Sequence, residues 1–431
     1  MDFLKNRVVR NASWIIICKL FQSVLSLIIN MITARYLGPS NFGLIAYASS
    51  IVTFFVPIMD LGLSNILVQK IGENQDKEGE VLGTSMVMSL ISAFFCIVGV
   101  VTFTLVANHG EKEAIIVCAL YSILLLFQSL NIIKYWFQAK LLSKYTAIVG
   151  LISYVLVSAY KIFLLVSEKN IYWFAISNSL DFMIIAFSSI CIYKKIGGQR
   201  FRFSLDTARR LFSQSKYYII AALMVTIFAE TDKVMIKLMI GNEEAGFYSA
   251  AVSAAAVLGV VFSAIIDSAR PIIFESKLKD ESLYQLNVSR LYCIIIYSSL
   301  VYSLGITIFA KLIIFIIYGK DYYPAISALK IIVWYTPFSY IGVIRNIWLL
   351  AENKQKYLWK VNMFGAVANV ILNYFLIPVM GINGAAVASL ITQIYTNVIV
   401  SFIIRPIRYN NTLLAKGLNI KLVLNLLSRK G

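Results

Sequence analysis

Long apolar runs separated by short polar breaks constrain this chain more than any other feature. About twelve can be drawn, at 12–35, 44–69, 82–107, 114–137, 145–167, 171–193, 215–240, 246–274, 288–317, 325–350, 358–378 and 383–405. Roughly 20 apolar residues at about 1.5 Å each cross the ~30 Å hydrocarbon core of a bilayer as a helix. A soluble helix keeps one polar face, and these runs are apolar nearly all round. With 59% of 431 residues hydrophobic, no soluble core could absorb them. The expected fold is an all-α polytopic membrane protein of about twelve transmembrane helices.

The net charge of +18 would suit a nucleic-acid binder, but its distribution points elsewhere. The central break alone holds Lys194, Lys195, Arg200, Arg202, Arg209 and Arg210, with Lys216 just beyond it, and the breaks on the other side hold only Arg35, Lys112, Lys169 and Lys320 between them. That is the positive-inside bias of short loops. It puts both termini in the cytoplasm, implies contact with anionic membrane lipids and excludes nucleic acid as the partner.

The break at 194–214 divides the runs into two sets of six. The expected domains are an N-terminal six-helix bundle (1–200), a cytoplasmic linker (201–214), a C-terminal six-helix bundle (215–405) and a basic amphipathic tail (406–431). Ser204 and Asp206 are placed to cap a short surface helix in the linker, and the tail reads as an interfacial helix on the inner leaflet. RYLGPSNFG after the first run and LMIGNEEAGFY after the seventh share a five-residue glycine spacing, Gly38 to Gly43 and Gly241 to Gly246. An even number of helices per half makes a parallel repeat.

Ionisable groups inside these runs ask for a partner, an aqueous path or an escape to the interface. Lys19 and Lys161 lie about two turns from a span end. Asp181 stands near the middle of the sixth span and Asp60 two-thirds along the second. A carboxylate without a cation on its own helix can titrate during a transport cycle, so Asp181, then Asp60, are the candidates for ion coupling. A brace between Asp181 and Lys161 or Lys19 is the alternative. Asp267 and Arg270 are spaced to pair on one helix face. Glu230, Lys233 and Lys237 share a face of the seventh span, leaving Asp232 in need of an external partner, for which Arg35 is one candidate. Glu230, Asp232, Lys237 and Asp267 therefore read as a structural charge cluster. Asn362, Asn369 and Asn373 form a stripe that either glues helices or meets sugar hydroxyls.

Enzyme chemistry is not indicated. His109 is the lone histidine, in a polar break. The five cysteines sit singly in apolar runs, no metal-ligand or cofactor motif is present, and no loop is large enough for a polymerase or ligase site.

ARYLGPSNFG at 34–43, DKVMIKLMIGNEEAGFYSAA at 232–251, YGKDYYPA at 318–325 and IPVMGINGAAVAS at 377–389, with Asn373 just upstream, resemble the oligosaccharide-lipid flippases of bacterial polysaccharide biosynthesis. These share a superfamily with the multidrug and toxin extruders. The resemblance implies a V-shaped pair of six-helix bundles and alternating access. It implies a polyprenyl-pyrophosphate-linked oligosaccharide as cargo, for O-antigen or another surface polysaccharide, in the bacterial cytoplasmic (inner) membrane. Polysaccharide polymerase and chain-length proteins would be partners, and no cofactor is implied. An anionic head group suits the excess of deep cations over deep acids, so Arg35, Arg270 and Arg345, supported by Lys19, Lys161 and Lys233, are the expected substrate-cavity residues. A multidrug or cation antiporter of the same superfamily is the competing reading.

Overall fold

The computed structural model describes the backbone of 2–73 and 75–422, and the side chains of 18, 21–73 and 75–422 within it. Helices and turns make up the described residues. Lipid leaves no water for backbone N–H and C=O groups, so each segment must satisfy its own, which a helix does.

The α-helices in chain order are α1 (Asp2–Asp60), α2 (Leu67–Glu73), α3 (Glu78–Ala107), α4 (Lys112–Ser122), α5 (Leu124–Leu130), α6 (Lys134–Ala139), α7 (Ser143–Val166), α8 (Ile171–Lys195) and α9 (Leu205–Met239). There follow α10 (Asn242–Ala255), α11 (Gly259–Lys279), α12 (Glu281–Ile317), α13 (Ala325–Ile332), α14 (Tyr335–Ala351), α15 (Leu358–Met380), α16 (Ile382–Ile394), α17 (Val400–Ile403) and α18 (Tyr409–Gly417). By length and composition, nine described helices suffice to cross a membrane, or ten if α10 and α11, bent by 44°, count as one span. The difference from twelve has two physical sources. Gly38, at φ 71° and ψ 172°, kinks α1 into two helices that run on as one, and α9 carries Glu230, Asp232, Lys233 and Lys237 on an otherwise apolar stretch.

Two compact units divide the chain, Met1–Thr226 and Ile227–Gly431, with the boundary inside α9. Left-handed turn residues recur in the same order in both halves. Gly38, Gly110, Leu141 and Glu168 in the first half correspond to Gly241, Gly319, Asn353 and Gly381 in the second. Leu142 and Lys354, each just after its left-handed residue, donate to the carbonyls of Phe137 and Leu349, both at 2.7 Å. This is the same helix-ending hydrogen bond.

Packing is inside out relative to a soluble protein. α3 buries Ser85, Ser89, Ala93, Cys96 and Thr104 and turns Phe95 and Val106 outward, 67% and 73% exposed. Small residues let helices approach closely where the hydrophobic effect does not distinguish lipid from protein, and large apolar side chains meet lipid. The Thr104 hydroxyl donates back to the Val100 carbonyl at 2.9 Å.

One expectation is corrected. The linker does not hold a short surface helix. Ser204 does cap, accepting from the Thr207 N–H at 3.3 Å, but α9 continues unbroken for 35 residues. The first part of the tail packs on the second unit, α18 against α12. Ile407, Leu413 and Leu414 join the core of the second unit, and Tyr297 donates to the Leu418 carbonyl at 2.7 Å. Leu418 and Ile420 of the same segment stay exposed, at 57% and 46%. Val423, Leu426 and Leu427 lie outside the described residues.

Candidate functional site

The most enclosed carboxylate of the second unit is Asp232 on α9, only 6% exposed. Tyr248 on α10 donates to it at 2.5 Å, Asn373 on α15 at 2.6 Å, and Ser389 on α16 also donates. The same Asn373 amide reaches Asn369 Oδ1 at 3.1 Å. Asn369 and Asn373 are buried, so these two members of the asparagine stripe serve the carboxylate and are closed to an open surface. Three neutral donors and no ion pair surround Asp232 among the described residues. A charged carboxylate in such a place is costly unless hydrogen-bonded, and these donors supply that hydrogen bonding. Asp232 was expected to belong to a structural charge cluster; its hydrogen bonds instead run to α10, α15 and α16. Glu230 and Lys233 do pair, at 2.9 Å and about one-fifth exposed, and Lys237 is buried.

α11 presents a different kind of site. The carbonyls around the bend between α10 and α11 are taken up by two tyrosines: Tyr302 donates to Ala255 O at 3.0 Å and Tyr340 to Gly259 O at 3.1 Å. Phe262 packs against both rings, with centroids at 5.7 and 5.0 Å. Two turns beyond the bend, Asp267 and Arg270 pair at 3.1 Å with side chains 66% and 48% exposed. An ion pair so open, midway along α11, is tolerable against water and expensive against hydrocarbon.

In the first unit, Asp181 on α8 accepts from Ser153 on α7 at 2.5 Å, and Lys161 on α7 donates to Asn178 on α8 at 3.2 Å. The described geometry holds no Asp181–Lys161 ion pair, so that brace is absent here. Lys19's side chain lies outside the described residues. Gln22, Ser26 and Asn30 continue a polar stripe along α1 at a four-residue spacing, partly or fully exposed, with Asn30 donating to Ser26 at 3.4 Å. Asp60 ends α1, accepting from the backbone and hydroxyl of Ser64 at 3.1 and 2.6 Å. That is a local turn-stabilising arrangement. Arg35 is exposed near the Gly38 kink.

Arg345 on α14 departs from expectation. It is 2% exposed and lines no open surface in this conformation. Its Nη1 donates to Thr396 O at 2.9 Å, its Nη2 to Asn346 Oδ1 at 3.2 Å, and its Nε finds no partner. Thr396 lies in a π-helical turn, Tyr395–Ile399, where the i→i+5 pattern disturbs the carbonyl ladder. Nearby in sequence, Trp334 donates its indole N–H to Thr307 at 3.1 Å.

Sequence reading missed that Asp232, Asn369, Asn373, Tyr248 and Ser389 form one network. The available signal was a pairing of needs, an acid lacking a cation and an asparagine stripe lacking a role.

Comparison with known proteins agrees with this architecture. The chain is 23% identical over 399 residues to a probable low-salt glycan biosynthesis flippase, Agl15, of Haloferax volcanii, covering 88% of this chain and 80% of that one. It is 24% identical over 422 residues to an uncharacterized membrane protein of Methanocaldococcus jannaschii, covering 93% and 98%. Its fold is similar to that of the lipid II flippase MurJ in an inward closed conformation, with a TM-score of 0.70 at 16% identity over 96% of this chain and 92% of that one. An inward-facing multidrug resistance MATE family transporter gives 0.65 at 13% identity over 92% and 95%. Residues 8–277 match the polysaccharide biosynthesis protein family, and with well over half of its length so matched, the chain belongs to that family.

Proposed function

We propose that this protein is a flippase that carries a lipid-linked oligosaccharide, on a polyprenyl-pyrophosphate carrier, from the cytoplasmic to the outer leaflet by alternating access. The observation that carries this reading is the open Asp267–Arg270 pair on α11. Exposed charged groups midway along α11 suit a polar cargo. The polar stripe on α1 supports it from the first unit, and the flippase relative of Haloferax volcanii supports the glycan class. Arg35, Arg270, Lys161 and Lys233 remain the proposed contacts for the anionic head group, with Lys19. Arg345 would join them only in a conformation that uncovers it.

Transport is ion-gradient coupled in this reading, through Asp232, with Asp181 second. Both are carboxylates held by neutral donors, whereas Asp60 is tied to its own turn and Asp267 to Arg270. The cargo is a surface polysaccharide repeat unit such as O-antigen, the membrane is the bacterial cytoplasmic (inner) membrane with both termini inside, and polymerase and chain-length proteins receive the product. The multidrug or cation antiporter reading draws on the MATE neighbours and on the enclosed acid Asp232.

The test is reconstitution in vesicles with a polyprenyl-pyrophosphate oligosaccharide in one leaflet, scored by its appearance in the other. Movement of the glycan-lipid without efflux of cationic drugs is expected. Drug efflux without glycan movement would replace the flippase reading by the antiporter one.

A further inference from the structure

The segment between α8 and α9 is held to the protein as tightly as a strand in a sheet. Gly79 on α3 donates its N–H to Gln199 Oε1 at 3.0 Å, and the Arg202 N–H donates back to the Gly79 carbonyl at 3.2 Å. The Ser204 N–H donates to Thr84 Oγ1 at 3.1 Å, Gln199 Nε2 to the Gln75 carbonyl at 2.9 Å, and Tyr193 to the Gln199 carbonyl at 2.8 Å. The Phe201 ring stacks on Tyr193 at 5.0 Å with an 11° tilt. A Cβ at Gly83 would meet the Arg202 carbonyl oxygen and nitrogen at 2.5 and 2.7 Å, so only glycine lets the segment lie this close. Residues 199–204 are a strap across the first turns of α3.

Pinning one side of the strap fixes what the other side shows. Gln199, Phe201 and Ser204 are turned to the protein, and Arg200 and Arg202 are left exposed. Lys194, Lys195 and Arg209 are exposed around them, and none of these five is ion-paired among the described residues; Arg210 alone is, with Asp206 at 3.1 Å. Interleaved with the cations are Ile196, Phe203, Leu205 and Phe212, all exposed large apolar side chains. The strap begins where α8, a membrane-crossing helix ending at Lys195, leaves the hydrocarbon.

We propose that this strap is a preset ledge that binds the phosphates of anionic glycerophospholipids in the adjoining leaflet. Unpaired arginines match phosphate oxygens, and the apolar side chains between them fit the headgroup–acyl boundary, where an acidic soluble partner would leave them in water. Rigidity is what distinguishes the ledge from a loose basic loop, because its arginines need no ordering to bind. The inference rests on the membrane fold alone and is independent of the glycan-lipid reading.

The experiment compares thermal unfolding of the full chain in phosphatidylcholine vesicles with vesicles also containing phosphatidylglycerol, with no glycan-lipid present. The unmodified protein is expected to melt several degrees higher in the anionic vesicles, and the gain to shrink with added salt. Replacing Arg200, Arg202 and Arg209 together by Gln should leave the phosphatidylcholine melting point in place and remove more than about half of the gain. Replacing Lys112 and Lys169, at the opposite ends of their spans, by Gln should leave the gain intact. Gly83→Val, which lifts the strap while keeping every charge, should lose a large part of it. The proposal is overturned if the triple variant keeps the full gain, if Gly83→Val keeps it, or if inorganic pyrophosphate added to phosphatidylcholine vesicles reproduces it, which would make the ledge a soluble-diphosphate site.

Discussion

Asn373 on α15 donates to Asp232 on α9 at 2.6 Å, joining residues 141 apart in sequence in a place that water does not reach. The amide satisfies the carboxylate without supplying a compensating charge.

Asp232→Asn keeps the size and most of the hydrogen bonding and removes the negative charge. Protein levels in the membrane should hold, while transport in vesicles becomes insensitive to an imposed proton or sodium gradient. Transport by this variant that still rises with the gradient would exclude Asp232 from coupling.

Asp181→Asn provides the comparison. Ser153 is its hydrogen-bond partner from α7 and no cation bridges it among the described residues, so the amide should be tolerated in folding. Gradient dependence should survive here if Asp232 is the coupling group, and the same vesicle assay decides. Loss of gradient dependence in Asp181→Asn alone would move the coupling site to the first unit.

The open pair on α11 should matter for transport and little for stability. Exposed i, i+3 pairs contribute about 0–1 kcal/mol, so Arg270→Ala should shift the unfolding midpoint slightly. The flipping rate should fall by about tenfold or more, the equivalent of one lost charge-assisted contact, with partial recovery in Arg270→Lys. An unchanged rate in Arg270→Ala would remove the pair from the cargo path.

Arg345 should show the opposite pattern. Its guanidinium bridges the Thr396 carbonyl and Asn346, a geometry that the point charge of lysine cannot reproduce. Arg345→Lys should destabilise by about 1–3 kcal/mol, the usual cost of stranded buried polar groups, read by thermal or denaturant unfolding in detergent. Stability unchanged within error would mean that the bridge carries no weight.

The chain itself determined the membrane class and the all-helical fold, because hydrocarbon imposes a length and a polarity on every segment and the apolar runs record both. It also located its turns. Gly38 and Gly241 mark breaks between long helices because few other residues adopt their backbone angles, and the Asp267–Arg270 pair was legible because its partners are one helical turn apart. Tertiary structure decided what distance in sequence conceals. Asp232 finds its donors on α10, α15 and α16, and a carboxylate's need for donors does not name which helix will bring them. Arg345 reads in sequence like any other deep cation, yet packing buries it against a π-helical turn and takes it off the open surface. The break at 194–214 reads as a linker because it is polar and basic. It folds as a strap because two glycines on α3 leave space for its backbone, a complementarity that neither segment reveals alone.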